Sequence, residues 1–548
     1  MTTLTDPPSR TTTGRATELR LTPPWTRRRI LLLTTVVALA VLTVWGVRRV
    51  ELSLLALIDG WPETRNLLER MWPPVLGEER GTLIGNVLDT FFMAYAGTAI
   101  GVALAIPLAF LSAGNVMPWA PVRLVARAVV VFTRAVPALV MALVFVRVFG
   151  IGVLPGVLAL GLHAVGMVAK LLTDAIEEID PGPREGVLAT GAGPFQDMVT
   201  GIWSQIVPTV IAVSLYRLEI DFRSAPILGF VGAGGIGLTL RAYQGNLRYP
   251  ALLGVALLIV ALVLVMELLS GLTRRAILTP SGGGAVGATG LTPPWTADRV
   301  KLHLAGLGAL VLLVVSFTVP DFSLVELFTS LGELPTLLWR LTPKSFDWFT
   351  GAVWEDLVET VAIGFAATAL ALVVSLPLAF LAARNTAPGR WVYQVVRVFA
   401  LLTRAAPELV VAVIFVAALG LGPATGTLAL AIGLAGFATK LFADNIEEVS
   451  AGPREGVRST GASGLQEVGA SVVPQVVPSL VGNMLYLLDI SLRSSTVLGI
   501  VGAGGVGFLL SNASRTLNYE VMGGIILSIF VIVYAIEVLA GWIRNQII

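Results

Sequence analysis

The chain has 548 residues, 55% of them hydrophobic and 13% charged, about half the charged share of a soluble globular chain, so its natural solvent is lipid. A net charge of +2 without a basic stripe gives no support to nucleic-acid binding, the absence of cysteine excludes a disulfide framework or thiolate metal site, and two unrelated histidines, His163 and His303, do not make a metal centre. Four lysines stand against 33 arginines and none follows a glycine, so there is no Gly-Lys-Ser/Thr phosphate loop, and any ATP that drives this protein must be bound by another chain.

Residues 1–29 are expected to form a cytoplasmic tail, followed by an apolar segment near 30–47. With Ala38-Leu-Ala40 that segment could be a signal peptide. Its counterpart near 303–320 is internal, so a retained helix is the better reading. A spanning helix needs about 20 mostly apolar residues. Further spans are predicted near 84–112, 124–149, 151–175, 205–225 and 250–272. The stretch 276–298, with Ser281-Gly-Gly-Gly284, Gly287 and Gly290, reads as a flexible linker. The pattern then recurs near 303–320, 354–382, 394–419, 421–445, 475–495 and 520–542.

The recurrence is a tandem duplication at a constant offset of 270. Leu21–Thr26 returns as Leu291–Thr296, Thr133–Pro137 as Thr403–Pro407, Gly182–Val187 as Gly452–Val457, and Leu228–Gly237 as Leu498–Gly507. Two modules follow, 30–275 and 299–548. Six spans per module bring both into the membrane in the same sense, so the expected fold is all-α, about twelve transmembrane helices in two parallel, pseudo-twofold-related repeats. Arg27–Arg29, Arg123, Arg127, Arg274 and Arg275 fall on one side, taken as cytoplasmic with both termini, against Arg48, Arg49, Arg65, Arg70 and Arg80 on the other.

The segment 177–208, repeated at 447–478, breaks with Pro and Gly after the fourth span. A short helix over 184–190, with Glu185 near its positive end, would form a stiff cytoplasmic knob for a motor subunit to grip. Its coupling residues would be Gly182, Arg184, Glu185, Gly186 and Gly191, and in the second copy Gly452, Arg454, Glu455, Gly456 and Gly461.

Charge inside the membrane marks a pathway, at about 2.5–3.5 kcal/mol per residue at a helix centre. Arg134 lies seven residues past Arg127, about 10 Å deeper, and Arg404 is its copy. Pro137 and Pro407 free the carbonyls of Thr133 and Thr403 beside them. The fifth span carries Arg217, Glu219, Asp221 and Arg223, and its copy Asp489 and Arg493. Arg134, Arg404, Glu219, Arg223, Asp489 and Arg493 are the pathway candidates; substrate guidance and structural ion pairing both fit them. Lys170 and Lys440 either snorkel to the interface or pair with the knob. Gly232, Gly234 and Gly235, with Gly502, Gly504 and Gly505, satisfy a dinucleotide-loop pattern, but they follow membrane helices rather than strands. They fit a re-entrant segment at the outer mouth, or tight packing of small residues between helices.

Glu185 and Gly191, and Glu455 and Gly461, hold the spacing of the coupling loop of ABC importer permeases, which the segment resembles. The family's two alanines are replaced by Gly186-Val187 and Gly456-Val457, and its terminal Leu-Pro is Val473-Pro474 in one half but Trp203-Ser204 in the other, which suggests unequal knobs. Pro377–Asn385, Gly420–Pro423, Lys440–Phe442 and the stretch from Arg493 to Gly507 are similar to the phosphonate permease branch. The resemblance implies a non-enzymatic permease of the plasma membrane, two separate ABC ATPase subunits carrying ATP and Mg, and no cofactor or metal in this chain. It also implies an extracytoplasmic substrate-binding protein and a small anionic substrate, a phosphonate or related phosphorus oxyanion. Methionine or another organic solute is the alternative cargo, and a secondary transporter the alternative class.

Overall fold

The structure, a computed structural model, describes residues 27–52, 61–77, 80–278, 297–318, 329 and 332–547. Most of the expected tail, the linker over 279–296 and the Leu21–Thr26/Leu291–Thr296 repeat lie outside the described residues. Among the described residues there are helices and no strands.

The first half runs α1 Arg27–Arg49, α2 Trp61–Met71, α3 Arg80–Ser112, α4 Ala120–Ala135, α5 Ala138–Phe149, α6 Val153–Glu177, α7 Pro181–Ala189, α8 Trp203–Phe230, α9 Ile236–Gly245 and α10 Tyr249–Leu278. The second repeats it as α11 Ala297–Thr318, α12 Leu334–Leu341, α13 Gly351–Ala382, α14 Arg390–Ala405, α15 Glu408–Leu419, α16 Pro423–Glu447, α17 Ala451–Ser459, α18 Val473–Leu498, α19 Gly507–Arg515 and α20 Tyr519–Ile547. Among the described residues eight helices are individually long and apolar enough to cross a membrane, and two bent pairs bring the number to ten. The opening helices α1 and α11, of 23 and 22 residues, occupy the remaining two expected positions.

The span expected near 124–149 is not one rod. It breaks between α4 and α5 with 92° between their axes, and its copy between α14 and α15 with 82°. The cause is local: Pro137 and Pro407 cannot donate to a helical carbonyl, and the residue before each is extended, with Val136 at φ −87°, ψ 121°. The carbonyl of Thr133 freed by this break accepts from His163 Nδ1 at 3.2 Å.

The halves are continuous in sequence but not in packing. α1 lies on α13 and α20 of the second half, and α11 lies on α3 of the first. Tyr95 on α3 donates its hydroxyl to the Ala309 carbonyl of α11 at 2.7 Å. One apolar core accordingly runs across the seam, with Leu252, Val255 and Ile259 of α10 clustered with Leu409 and Val413 of α15. Each half thus holds the other by a helix as well as by a face, and the seam is where the charged residues gather.

Candidate functional site

Both copies of the expected knob form a short helix whose residues are all at least partly exposed. α7 starts at Pro181 rather than at residue 184, because the Asp180 carboxylate accepts from Gly182 N at 2.9 Å and proline suits the first helical position. Glu185 therefore sits in the middle of the helix, exposed, and not at its positive end. Gly191 closes it at φ +81°, as Gly461 does at +80°. That left-handed residue after the last turn, donating from Gly191 N to the Leu188 carbonyl at 3.0 Å, is the physical reason for a glycine six residues past the glutamate.

Arg184 and Arg454 turn back into the protein. Arg184 Nε donates to Asp197 Oδ2 at 2.9 Å, and Nη1 to the Asn115 carbonyl at 3.0 Å. Arg454 makes the same pair with Glu467 at 2.9 Å and reaches the Asn385 carbonyl at 2.7 Å. Asp197 and Glu467 border π-helical turns, Asp197–Ile202 and Val468–Val472, that lead into α8 and α18. The chain from knob to spanning helix is thus mechanically short. Val473-Pro474 and Trp203-Ser204 both begin the long helix, so that departure leaves the local architecture alike. The two knobs differ elsewhere: Arg458 adds a second guanidinium to Glu467 at 2.9 Å, where the first half has the exposed Leu188. Gly186, Gly452 and Gly456 leave open surface around the helix, while Gly182 lies against the Asp180 carboxylate. Lys170 pairs with Asp174 on its own helix at 2.5 Å rather than with the knob.

At the seam, a cavity of about 340 Å³ lies between the elbows at Pro137 and Pro407 and helices α8 and α18. Arg223, Glu219, Arg404 and Arg493 line it, as do Arg217, His163, Glu408, Tyr216 and Tyr486. Arg134 and Asp489 adjoin it: Arg493 pairs with Asp489, and its Nη1 reaches the Arg134 carbonyl at 3.4 Å. All six expected pathway residues therefore converge.

The arginines are paired, and the pairs cross the seam. Arg134 of α4 binds Glu537 of α20 at 2.6 Å, and Arg404 of α14 binds Glu267 of α10. Each broken span thus sends its arginine to the last helix of the other half. Glu219 sits among three guanidiniums without a close contact to any, at 3.9 Å from Arg223 and 3.8 Å from both Arg274 and Arg404. Arg493 reaches Glu537 at 3.9 Å as well. Arg217 and Asp221 form a sealed pair at 2.5 Å with no equivalent in the second half, where Leu487 and Ser491 stand. Among the described residues no cluster suited to a metal ion occurs.

The carboxylates Glu267 and Glu537 were not anticipated, although they are one pair at the duplication offset, inside apolar helices, the signal that singled out Arg134 and Arg404. Glu408 and His163 carried no such signal, since their counterparts are Ala138 and Gly433.

The glycine segments lie at the other end of the bundle. Gly152 at the start of α6 donates to the Gly232 carbonyl at 3.1 Å, the length of α6 away from α7. Gly232, Gly234 and Gly235 do not line the cavity. They form a tight turn, repeated at Gly502, Gly504 and Gly505, and anchor to α3 and α13 through Ile236 N to Thr90 Oγ1 and Val506 N to Thr360 Oγ1, both 2.8 Å. Packing of small residues against main chain describes them.

An all-α, polytopic bundle with a charged cavity on a pseudo-twofold seam and one exposed short helix per repeat defines a two-module membrane permease. Residues 105–278 and 375–547 each match the family described as binding-protein-dependent transport system inner membrane component, and the chain belongs to that family. It is a multi-pass membrane permease of an ABC importer, whose ATPase is a separate subunit, and not an enzyme. It is 45% identical to the phosphate-import permease protein PhnE of Mycolicibacterium smegmatis, over 90% of this chain and 91% of that one. It is 39% identical to the phosphite transport system permease protein PtxC of Stutzerimonas stutzeri, over 40% of this chain and 79% of that one. With the putative phosphite transport system permease protein HtxC of the same organism it shares 34% identity, over 46% of this chain and 89% of that one.

Proposed function

We propose that this chain forms the translocation pathway for a phosphorus oxyanion, a phosphonate, phosphite or phosphate, across the plasma membrane. The observation that carries the reading is the seam cavity, where Arg223, Arg404 and Arg493, from both halves, face one small space. Guanidinium forks match tetrahedral oxyanions in a bidentate way, and the buried Nε of each of these three arginines has no hydrogen-bond partner, so each fork keeps a free donor. A dianion entering the cavity replaces carboxylate oxygens one for one, so the arginines change partner rather than lose one. The phosphate and phosphite relatives support this cargo over methionine.

An extracytoplasmic binding protein delivers the ligand to the end marked by the glycine turns. Two ABC ATPase subunits, which carry the ATP and Mg, grip α7 and α17, with Glu185 and Glu455 on the gripped surface; the termini then lie on the cytoplasmic side. Modules 30–275 and 299–548, joined by 276–298, act as the two halves of one gate. ATP works by binding one conformation of the assembly better than the other, and the permease performs no covalent step. Uptake of radiolabelled phosphonate, phosphite, phosphate and methionine into vesicles holding the full complex tests this. Methionine uptake alone overturns the cargo. Uptake without nucleotide, or unaltered ATP-linked uptake in Glu185→Ala/Glu455→Ala, overturns the coupling.

A further inference from the structure

Two carboxylates line the seam cavity, Glu219 and Glu408, and they are held differently. Glu219 lies among Arg223, Arg274 and Arg404 at 3.8–3.9 Å. Among the described residues, Glu408 has no lysine or arginine nitrogen within 4.0 Å of its carboxylate. Its hydrogen-bonding neighbour is the Ser494 hydroxyl, in the same wall. Glu408 is half-buried and shares the space with Arg223, Arg404 and Arg493.

The fold itself has no need of this acid. Glu408 opens α15, directly after Pro407. The first-half elbow breaks at 92°, against 82° here, with Ala138 in the matching position. Glu408 also occupies room that its partner helix leaves: a Cβ added at Gly433 would stand 3.2 Å from Glu408 Cγ, and the counterpart of Gly433 is the bulky His163. A carboxylate in a membrane span without a close cation is costly, and marks a functional position.

The chemistry of the wall narrows what it can receive. Arg223, Arg404 and Arg493 offer only donors, and the buried Nε of each lacks a partner. An ionised carboxylate offers only acceptors. A tetrahedral oxyanion that keeps one proton satisfies both: its bare oxygens accept from the guanidiniums and its hydroxyl donates to the carboxylate. We propose that Glu408 is a specificity-determining residue, accepting a hydrogen bond from the P–OH of hydrogen phosphate or a hydrogen phosphonate and so rejecting sulfate. Sulfate has the shape and charge of hydrogen phosphate but no donor, and it would set its own oxygens against those of Glu408. Polar groups left unpaired in this way make rejection strong.

This role rests on the proposed oxyanion pathway, and the test separates the two. Ser224→Cys puts one thiol in the cavity wall of a chain without cysteine. The full complex in nanodiscs, without binding protein, is treated with maleimide at one near-neutral pH and constant ionic strength, and modification of this chain is read by mass. Protection is titrated with inorganic phosphate, sulfate, methylphosphonate and the methyl monoester of methylphosphonate, which keeps one negative charge and has lost the P–OH. Phosphate and methylphosphonate should protect saturably, with sulfate and the monoester weaker by about tenfold or more. Glu408→Gln, which keeps the shape and adds a donor, should bring sulfate within about threefold of phosphate, while Glu408→Asp retains most of the preference. A merely structural role at the start of α15 would weaken all four anions alike and leave the ratios unmoved. Equal protection by phosphate and sulfate in the Glu408 protein, or an unchanged ratio in Glu408→Gln with its melting temperature preserved, overturns the assignment and leaves the pathway standing. No saturable protection by any of the four anions overturns both. Glu408-dependent discrimination in a complex that takes up no phosphorus oxyanion keeps the residue's role and sinks the import reading.

Discussion

Replacing Glu537 with glutamine should loosen the seam as a whole. Its carboxylate holds Arg134 across the halves at 2.6 Å, with both side chains about one-quarter exposed, at 23% and 24%. Exposed pairs contribute about 0–1 kcal/mol, and breaking a buried pair costs about 3–5 kcal/mol. The intermediate burial places this one near 2 kcal/mol, roughly a 30-fold change in the balance between closed and parted halves. The chain has no cysteine, so Ser494→Cys or Ser224→Cys puts a single reactive thiol in the cavity wall. In the assembled complex, Glu537→Gln should speed maleimide modification at either position by about 10- to 30-fold. The two thiols guard against a local artefact, because a lost carboxylate also favours a nearby thiolate. Acceleration confined to Ser494→Cys would mean altered electrostatics and no movement. The double variant Arg134→Gln/Glu537→Gln closes a cycle, and a coupling energy below about 0.5 kcal/mol refutes the latch.

Arg184→Ala should impair ATP-linked uptake more than Arg454→Ala, because Asp197 loses its one guanidinium while Glu467 keeps Arg458; equal losses in vesicle uptake and ATPase rate count against that asymmetry. Gly101→Ala should lower the melting temperature of the purified permease: the added carbon would lie 2.4 Å from Ala164 Cβ, and overpacking of this kind costs about 1–3 kcal/mol.

Much of the architecture was legible because the chain states it twice. Apolar length and the 270-residue offset marked the spanning segments, and proline marked Pro137 and Pro407 as weak points in a helix, but not breaks of 92° and 82° there. Gly191 was found by its spacing, and its φ of +81° supplies the cause. The lost information is of one kind: which surfaces meet. Hydropathy marks α1 as a membrane helix but does not say that it lies on α13 of the other half. The partners of Arg134 and Arg404 are 403 and 137 residues away along the chain, beyond the reach of local spacing. Glu219 and Arg223, one turn apart on one face, are spaced so that they can pair. They sit at 3.9 Å because Arg274 and Arg404 compete for the same carboxylate.

Fusion gives this seam a freedom that a pair of identical subunits lacks. In a symmetric dimer every cavity residue appears twice, and a lone charge on the axis is impossible. Here Tyr216 and Tyr486, Arg223 and Arg493, and Ser224 and Ser494 keep the old symmetry around the cavity. His163 faces Thr133 while its counterpart is Gly433, and Glu408 occupies a wall position whose counterpart is Ala138. The symmetric residues line the cavity from both halves. The unpaired ones, together with Arg217, make the two walls of the cavity chemically different. Unequal knobs fit the same pattern: once two copies share a chain each can diverge, and the second adds Arg458 to the pair that Arg454 makes with Glu467.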